Sequence, residues 1–518
     1  MGERVHRSIL NIKVGMVFYM LSLILAFFSR KIFLDCLGAE FIGLTGMLMN
    51  IMSFLSVAEL GIGTSIIYFL YKPLQEDNHQ KINEVMSMLA YLYRCIGFII
   101  GTCGFIVSLF FPWWFGNLTT GLPLVYFAFY SFLASSISGY IFNYKQLLVN
   151  ANQKQYLTQS YFQTIGIVQS IVQILLAYYY RNLWLWVVTG LVFTIVGIMV
   201  FNIRIRQLYP WLNINLSNGR KNLKQYPEVL KKTRQIFILR IKDFILNRSD
   251  ELLVGAFVSV TKVAFYGNYY IIISKLVFLV NILENGLSAG VGNLLAENNE
   301  RNTMKVFWEM TATRFFIMGM VIFPLILFIQ PLIACWVGPE YKLSSLIAYL
   351  LVFNLFLKLQ YSTVYIFIGA SGLYGDVWAS WAELIINLAV TLALAPFFGI
   401  VGILLGKIIS LSIFNVFWKP YYLFSEGFHK SVWLFWRPMM VYYGIFGLFT
   451  ILAIVLKTLF VDNHVNSWSS LIIYGLILLL PMLSFYFLSL FTCTQGMKYF
   501  VARKPSIYNT ICKLTFQS

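Results

Sequence analysis

The sequence predicts an all-α polytopic membrane protein. It would have about fourteen transmembrane helices, set in two pseudo-symmetric six-helix lobes plus two C-terminal helices. Three observations predict this class. Of 518 residues, 59% are hydrophobic and only 11% are charged, whereas soluble domains carry about 25% charged residues; the mean hydropathy is +0.76. Apolar runs of about 20 residues, enough to cross the hydrocarbon core, recur from end to end. Short motifs also recur at a near-constant offset across a basic middle connector.

The opening MGERVHRSILNIKVG leads into the first run, 14–34, without a cleavage signal, so this helix is expected to be retained. Spans two to six follow at 40–70, 85–112, 121–143, 157–178 and 182–203. Spans seven to twelve lie at 235–258, 263–294, 310–336, 343–368, 375–397 and 399–421, the last two divided only by a short turn near Phe397–Gly399. Spans thirteen and fourteen lie at 438–460 and 468–492. The expected organisation is an N-lobe at 1–203, a connector at 204–234, a C-lobe at 235–423, and the last two helices with a basic tail at 424–518. An even span count puts both termini on one side. Lys and Arg crowd the connectors of that side and are sparse on the other, so the positive-inside rule makes both termini cytoplasmic. With 13 prolines and no Gly/Ser-rich tract, a flexible linker is not expected.

The connector from Arg204 to Arg234 holds eight basic residues against one acid, Glu228. Two readings stand. It lies as a basic amphipathic segment on the anionic inner leaflet, or it only fixes topology. The basic residues behind the net charge of +18 cluster in such connectors, which argues against nucleic acid as a partner. The six cysteines (Cys36, Cys95, Cys103, Cys335, Cys493, Cys512) form no CxxC pair, and the four histidines (His6, His79, His429, His464) have no ligand spacing. Neither a metal nor a disulfide frame is expected. The outer connectors are too short to carry a polysaccharide polymerase or ligase site. GILLGKIIS, Gly402 to Ser410, departs from a phosphate loop: three residues part the glycines and Ile408 stands where Ser or Thr should follow Lys407. Gly402 and Gly406 read instead as a small-xxx-small packing pair. No cofactor is expected beyond a coupling cation, Na+ or H+.

Across the middle connector, Arg30 in AFFSRKIFL matches Arg248 in FILNRSDEL. Ala151 in VNANQKQY matches Ala370 in IGASGLYG, and Glu59 with Gly61 in AELGIG matches Glu284 with Gly286 in LENGLSAG. Two six-span repeats entering from the same side are parallel repeats, an arrangement that places substrate between the lobes near the midplane.

The passage GASGLYGDVWASWAELIINLAVTLALAPFFGIVGILLGKIIS, Gly369 to Ser410, resembles the bacterial O-antigen and capsular polysaccharide flippases of the multidrug/oligosaccharidyl-lipid/polysaccharide exporter superfamily. So do FFSRKIFLDCLGAEFIGLTG near the start and QLLVNANQKQYLTQSYFQTIGIVQSIVQILL around span five. The likeness runs in order through most of the chain. It implies a transporter of the bacterial inner membrane that moves a polyprenyl-pyrophosphate-linked oligosaccharide by alternating access for surface polysaccharide assembly. Its partners would be that lipid, membrane lipid, and a polysaccharide polymerase with its assembly proteins. The resemblance also implies that spans one, two, seven and eight line the central cavity.

Span seven carries the densest charge, in RIKDFILNRSDELLVG from Arg240 to Gly255. At 100° per residue, Arg240, Asp243, Asn247, Arg248, Asp250 and Glu251 share one face about 160° wide, with Lys242 outside it. One charge at the bilayer centre costs about 2.5–3.5 kcal/mol, so this face must look into protein or a wet cavity. Two readings again stand. The pairs Arg240–Asp243 and Arg248–Glu251, spaced i,i+3, form a self-neutralising ladder that fastens the helix. Alternatively the cations bind an anionic headgroup, for which the planar, permanently charged guanidinium suits pyrophosphate. The headgroup candidates are Arg248, Arg240, Arg30 and Lys275; the candidates for ion coupling or sugar binding are Glu59, Asp243, Asn247, Asp250, Glu251 and Glu284. The class alternatives are a cation-coupled multidrug exporter of the same superfamily, which should present a net acidic pocket, and a membrane polymerase or ligase.

Overall fold

The computed structural model describes residues 2–59, 62–152, 154–225, 227–297, 299–373, 375–462 and 464–503. Within these, the side chains of residues 2–13, 58, 64, 68, 224, 225, 228, 230–232, 235, 236, 238–240, 243, 247, 281–290, 292, 293 and 296 lie outside the description. The described chain is helical and contains no strand, as expected where each backbone polar group must be satisfied within its own segment. It divides into two compact units, Met1–Ala264 and Phe265–Ser518.

The first unit runs α1 (Gly2–Leu37), α2 (Ala39–Leu55), a 3-10 turn (Ser56–Glu59), α3 (Ile62–Gln75), α4 (His79–Ser108), α5 (Phe111–Phe115), α6 (Leu122–Asn143), α7 (Gln146–Ala151), α8 (Gln155–Tyr180), α9 (Leu183–Leu208), α10 (Leu216–Gln225) and α11 (Pro227–Phe257). It also takes in the start of α12 (Val260–Ala296). Helix α1 packs on α8, α8 on α9, α9 on α6 and α6 on α4. Phe33 and Phe41 both meet Trp186 edge-on, at 5.7 and 5.6 Å between ring centres. Helix α2 instead lies against α11. Small residues permit the approach of α2 to α11 and to the start of α12: a Cβ on Gly255 would come within 2.3 Å of the Met47 side chain, and one on Gly43 within 2.0 Å of the Val260 carbonyl oxygen.

The second unit holds α13 (Glu300–Trp336), α14 (Ser345–Gln360), α15 (Ser362–Ala370), α16 (Val377–Phe398), α17 (Ile400–Leu411), α18 (Lys419–Tyr422), α19 (Trp433–Leu456), α20 (Trp468–Cys493) and α21 (Gln495–Ala502). Helix α13 is its core, touching α14, α19, α20 and α21. Phe315, Phe323, Tyr442, Phe446, Phe449 and Tyr486 form a continuous aromatic cluster there, and the Tyr486 hydroxyl donates to the Phe315 carbonyl at 2.8 Å. Spans thirteen and fourteen, α19 and α20, therefore pack on α13. Gly399, with φ 56°, makes the one-residue turn between α16 and α17, a left-handed conformation that favours glycine. Beyond it, a Cβ on Gly402 would lie 2.5 Å from the Leu394 carbonyl and one on Gly406 2.1 Å from Thr391 Oγ1. The predicted small-residue pair thus sets the α16–α17 contact. Span twelve continues through two π-helical stretches, Ser412–Trp418 and Leu423–Gly427.

Twelve described helices are long and apolar enough to cross a membrane. Two of the predicted spans fall outside that set, for different reasons. Span two is not one helix but α2 and α3, interrupted at Ser56–Glu59. Span seven, α11, is an unbroken 31-residue helix whose charges lower its hydropathy.

Candidate functional site

Helix α11 brings its polar face to α2 within the first unit. Phe244 sits edge-on to Phe54 with ring centres 5.2 Å apart. One turn or two further on, Glu251 accepts a hydrogen bond from the Asn50 amide, which also donates to the Gly46 carbonyl at 2.9 Å. Asn50 is buried, and a Cβ on Gly46 would stand only 3.7 Å from Glu251 Oε2, so the carboxylate rests directly on the α2 backbone. Asp250 is buried beside it. Arg30, from α1, donates to the Ala264 carbonyl at 2.9 Å. Arg248 itself is exposed. Of the predicted residues, Asp250 and Glu251 are thus turned inward on α11, Arg248 is turned outward, and Arg30 is tied to the backbone at Ala264. The hydrogen bond of Glu251 runs across to α2.

Glu59 occupies a separate site. It closes the 3-10 turn that interrupts span two, and accepts from the Tyr93 hydroxyl of α4 at 2.7 Å. The Tyr93 ring stands 5.6 Å from that of Tyr140 on α6. Lys275 is half-buried on α12 in the second unit. The side chains of Arg240, Asp243, Asn247 and Glu284 lie outside the described residues.

Sequence reasoning missed Asn50 and Tyr93. Asn50 in MLMNIMSF is a lone amide in an apolar run, a readable signal, whereas nothing local marks Tyr93 as a carboxylate partner. It also passed over the buried charges of the second unit. Arg314 donates to Ser362 and Glu309 pairs with Arg503, which anchors α21 on α13. Asp376, at the start of α16, accepts from Lys419 at 2.6 Å and from the Trp418 indole at 3.3 Å. Lys419 directly follows the first π-helical stretch, where the local widening re-aims side chains.

No family model matches the chain, and no curated protein matches it. Among solved structures it is similar to the lipid II flippase MurJ in an inward closed conformation, with TM-score 0.65 and 16% identity over 92% of this chain and 99% of that one. It is also similar to an inward-facing multidrug resistance MATE family transporter of the MOP superfamily, with TM-score 0.52 and 15% identity over 79% of this chain and 97% of that one. At these identities the likeness establishes the fold: a multi-pass helical membrane protein of MurJ- and MATE-like architecture.

Proposed function

We propose that the chain is a flippase of the bacterial inner membrane, carrying a polyprenyl-pyrophosphate-linked oligosaccharide from the inner to the outer leaflet for O-antigen or capsule assembly. The observation that carries this reading is the asymmetry of the α11 charges. Glu251 is held against α2 by Asn50, while Arg248, on the same face of the same helix, stays exposed. An anchored helix that presents an exposed guanidinium is arranged to receive an anion, and the fork geometry of arginine matches the oxygens of a pyrophosphate. Arg248 and Arg240, with Arg30 and Lys275, would hold the headgroup while the lipid tail stays in the bilayer. The acids Glu59, Asp250, Glu251 and Glu284 would couple the cycle to Na+ or H+, and Asp243 and Asn247 would meet sugar hydroxyls. The fold it shares with a lipid II flippase supports this class of cargo.

The test is translocation of a fluorescent polyprenyl-pyrophosphate oligosaccharide in proteoliposomes. Wild type should transport it, and Arg248→Ala should lose about tenfold or more, the worth of one charge-assisted hydrogen-bond pair. Transport equal to wild type in the variant would sink the headgroup role of Arg248. No lipid movement, with a cationic dye exported instead, would transfer the reading to a cation-coupled multidrug exporter.

A further inference from the structure

The basic connector between α9 and α11 contains a packed helix. Its helix α10, LSNGRKNLKQ, is folded back onto α4. A Cβ on Gly219 would meet the Ser87 carbonyl at 2.5 Å and Tyr91 Cβ at 2.7 Å, so glycine is required for the helix to lie this close. Asn222 donates to the Glu84 carbonyl at 3.1 Å, and the backbone N–H of Asn215 donates to Ser87 Oγ at 3.0 Å. Upstream, the Asn213 N–H donates to Asn83 Oδ1 at 3.0 Å, and Trp211 stacks on His79 with ring centres 3.8 Å apart.

Every one of these contacts is made by amides, a hydroxyl, backbone or an aromatic ring. None uses a lysine or arginine. Arg220 and Lys221 are left exposed, and among the described residues neither has an ion-pair partner. Helix α10 contains no acid to neutralise them. The last residue of α9, Leu208, and the first of α11, Pro227, bracket the segment closely, and both helices are read as membrane spans. Lying between two helices read as membrane spans, α10 keeps Arg220 and Lys221 outward, and its placement on α4 is fixed by Gly219 and Asn222.

We infer that the Arg220–Lys221 face of α10 is a docking surface for anionic phospholipid headgroups. The occupant follows from charge and place. Two unneutralised cations on a rigid helix held within a few residues of the membrane lie inside the range over which an anionic leaflet attracts basic side chains. The surface goes beyond the cargo site, since it stands on α4 and α10 and involves none of the residues assigned to the headgroup of the transported lipid.

The test is hydrogen–deuterium exchange of the full chain in nanodiscs, read on the amides of 214–225. Exchange should slow a few-fold when phosphatidylglycerol replaces part of the phosphatidylcholine, and high salt should erase the difference. The R220Q/K221Q double variant should exchange alike in both lipids, while R220K/K221R keeps the wild-type response. Both changes are on exposed side chains, so an unchanged melting curve verifies the fold. Lipid-independent exchange in wild type, or protection by phosphatidylglycerol that persists in R220Q/K221Q, overturns the inference. Equal protection by millimolar inorganic phosphate in phosphatidylcholine alone also overturns it, since the surface would then select free phosphate.

Discussion

Helices α11 and α13 are both long, both carry charges in apolar surroundings, and they solve that problem in opposite ways. In α13, 67% of the most apolar window is buried, and its two buried charges are answered within the protein: Glu309 by Arg503, and Arg314 by Ser362. Around them the aromatic cluster supplies the contact area. In α11 the contacts to α2 run through Gly46 and Gly255, one carboxylate is answered by a neutral amide, and one guanidinium is left outward. The difference teaches where to look for work. Charges that are closed on all sides hold a helix in place; a charge presented by a helix that other residues already anchor is available for a ligand.

The comparison can be broken at its structural end first. Tyr486→Ala removes a fully buried ring from the α13–α19–α20 cluster and the hydrogen bond to Phe315, and should cost about 3–4 kcal/mol in reversible unfolding from detergent. A loss below about 1 kcal/mol would mean that aromatic packing does not hold α13. Asn50→Leu strips Glu251 of its partner and should cost about 1–2 kcal/mol. Pairing it with Glu251→Gln in a double-mutant cycle should reveal a coupling of about 1 kcal/mol; strict additivity would leave the α2–α11 bond without energetic weight. The smallest effect on stability belongs to Arg248→Ala, within about 0.5 kcal/mol of wild type, since the side chain is exposed. That near-silence in unfolding, set beside the loss expected in transport, is what distinguishes a presented charge from a structural one.

Much of the fold is legible in the chain because hydropathy and span length are local properties. The turn at Gly399 and the Gly402–Gly406 pair were readable for the same reason, since spacing alone states how closely two helices can approach. The interruption of span two was not, because hydropathy runs straight through 40–70 while Glu59 takes its partner from Tyr93 on another helix. The charged face of α11 was visible as a face, but its anchoring was not: Asn50 stands 201 residues away from Glu251. The same holds for Arg503 and Glu309, 194 residues apart. The connector was legible in charge but not in packing. Its eight basic residues drew attention to charge, whereas the docking of α10 is done by Gly219, Asn222 and Asn215, which composition treats as filler.

The passage from the first compact unit to the second falls between Ala264 and Phe265, inside α12, a helix of 37 residues that contains no proline. Such a helix is about 55 Å long. At its Val260 end a Cβ on Gly43 would meet the helix backbone, so any side chain at that position of α2 would push the start of α12 away.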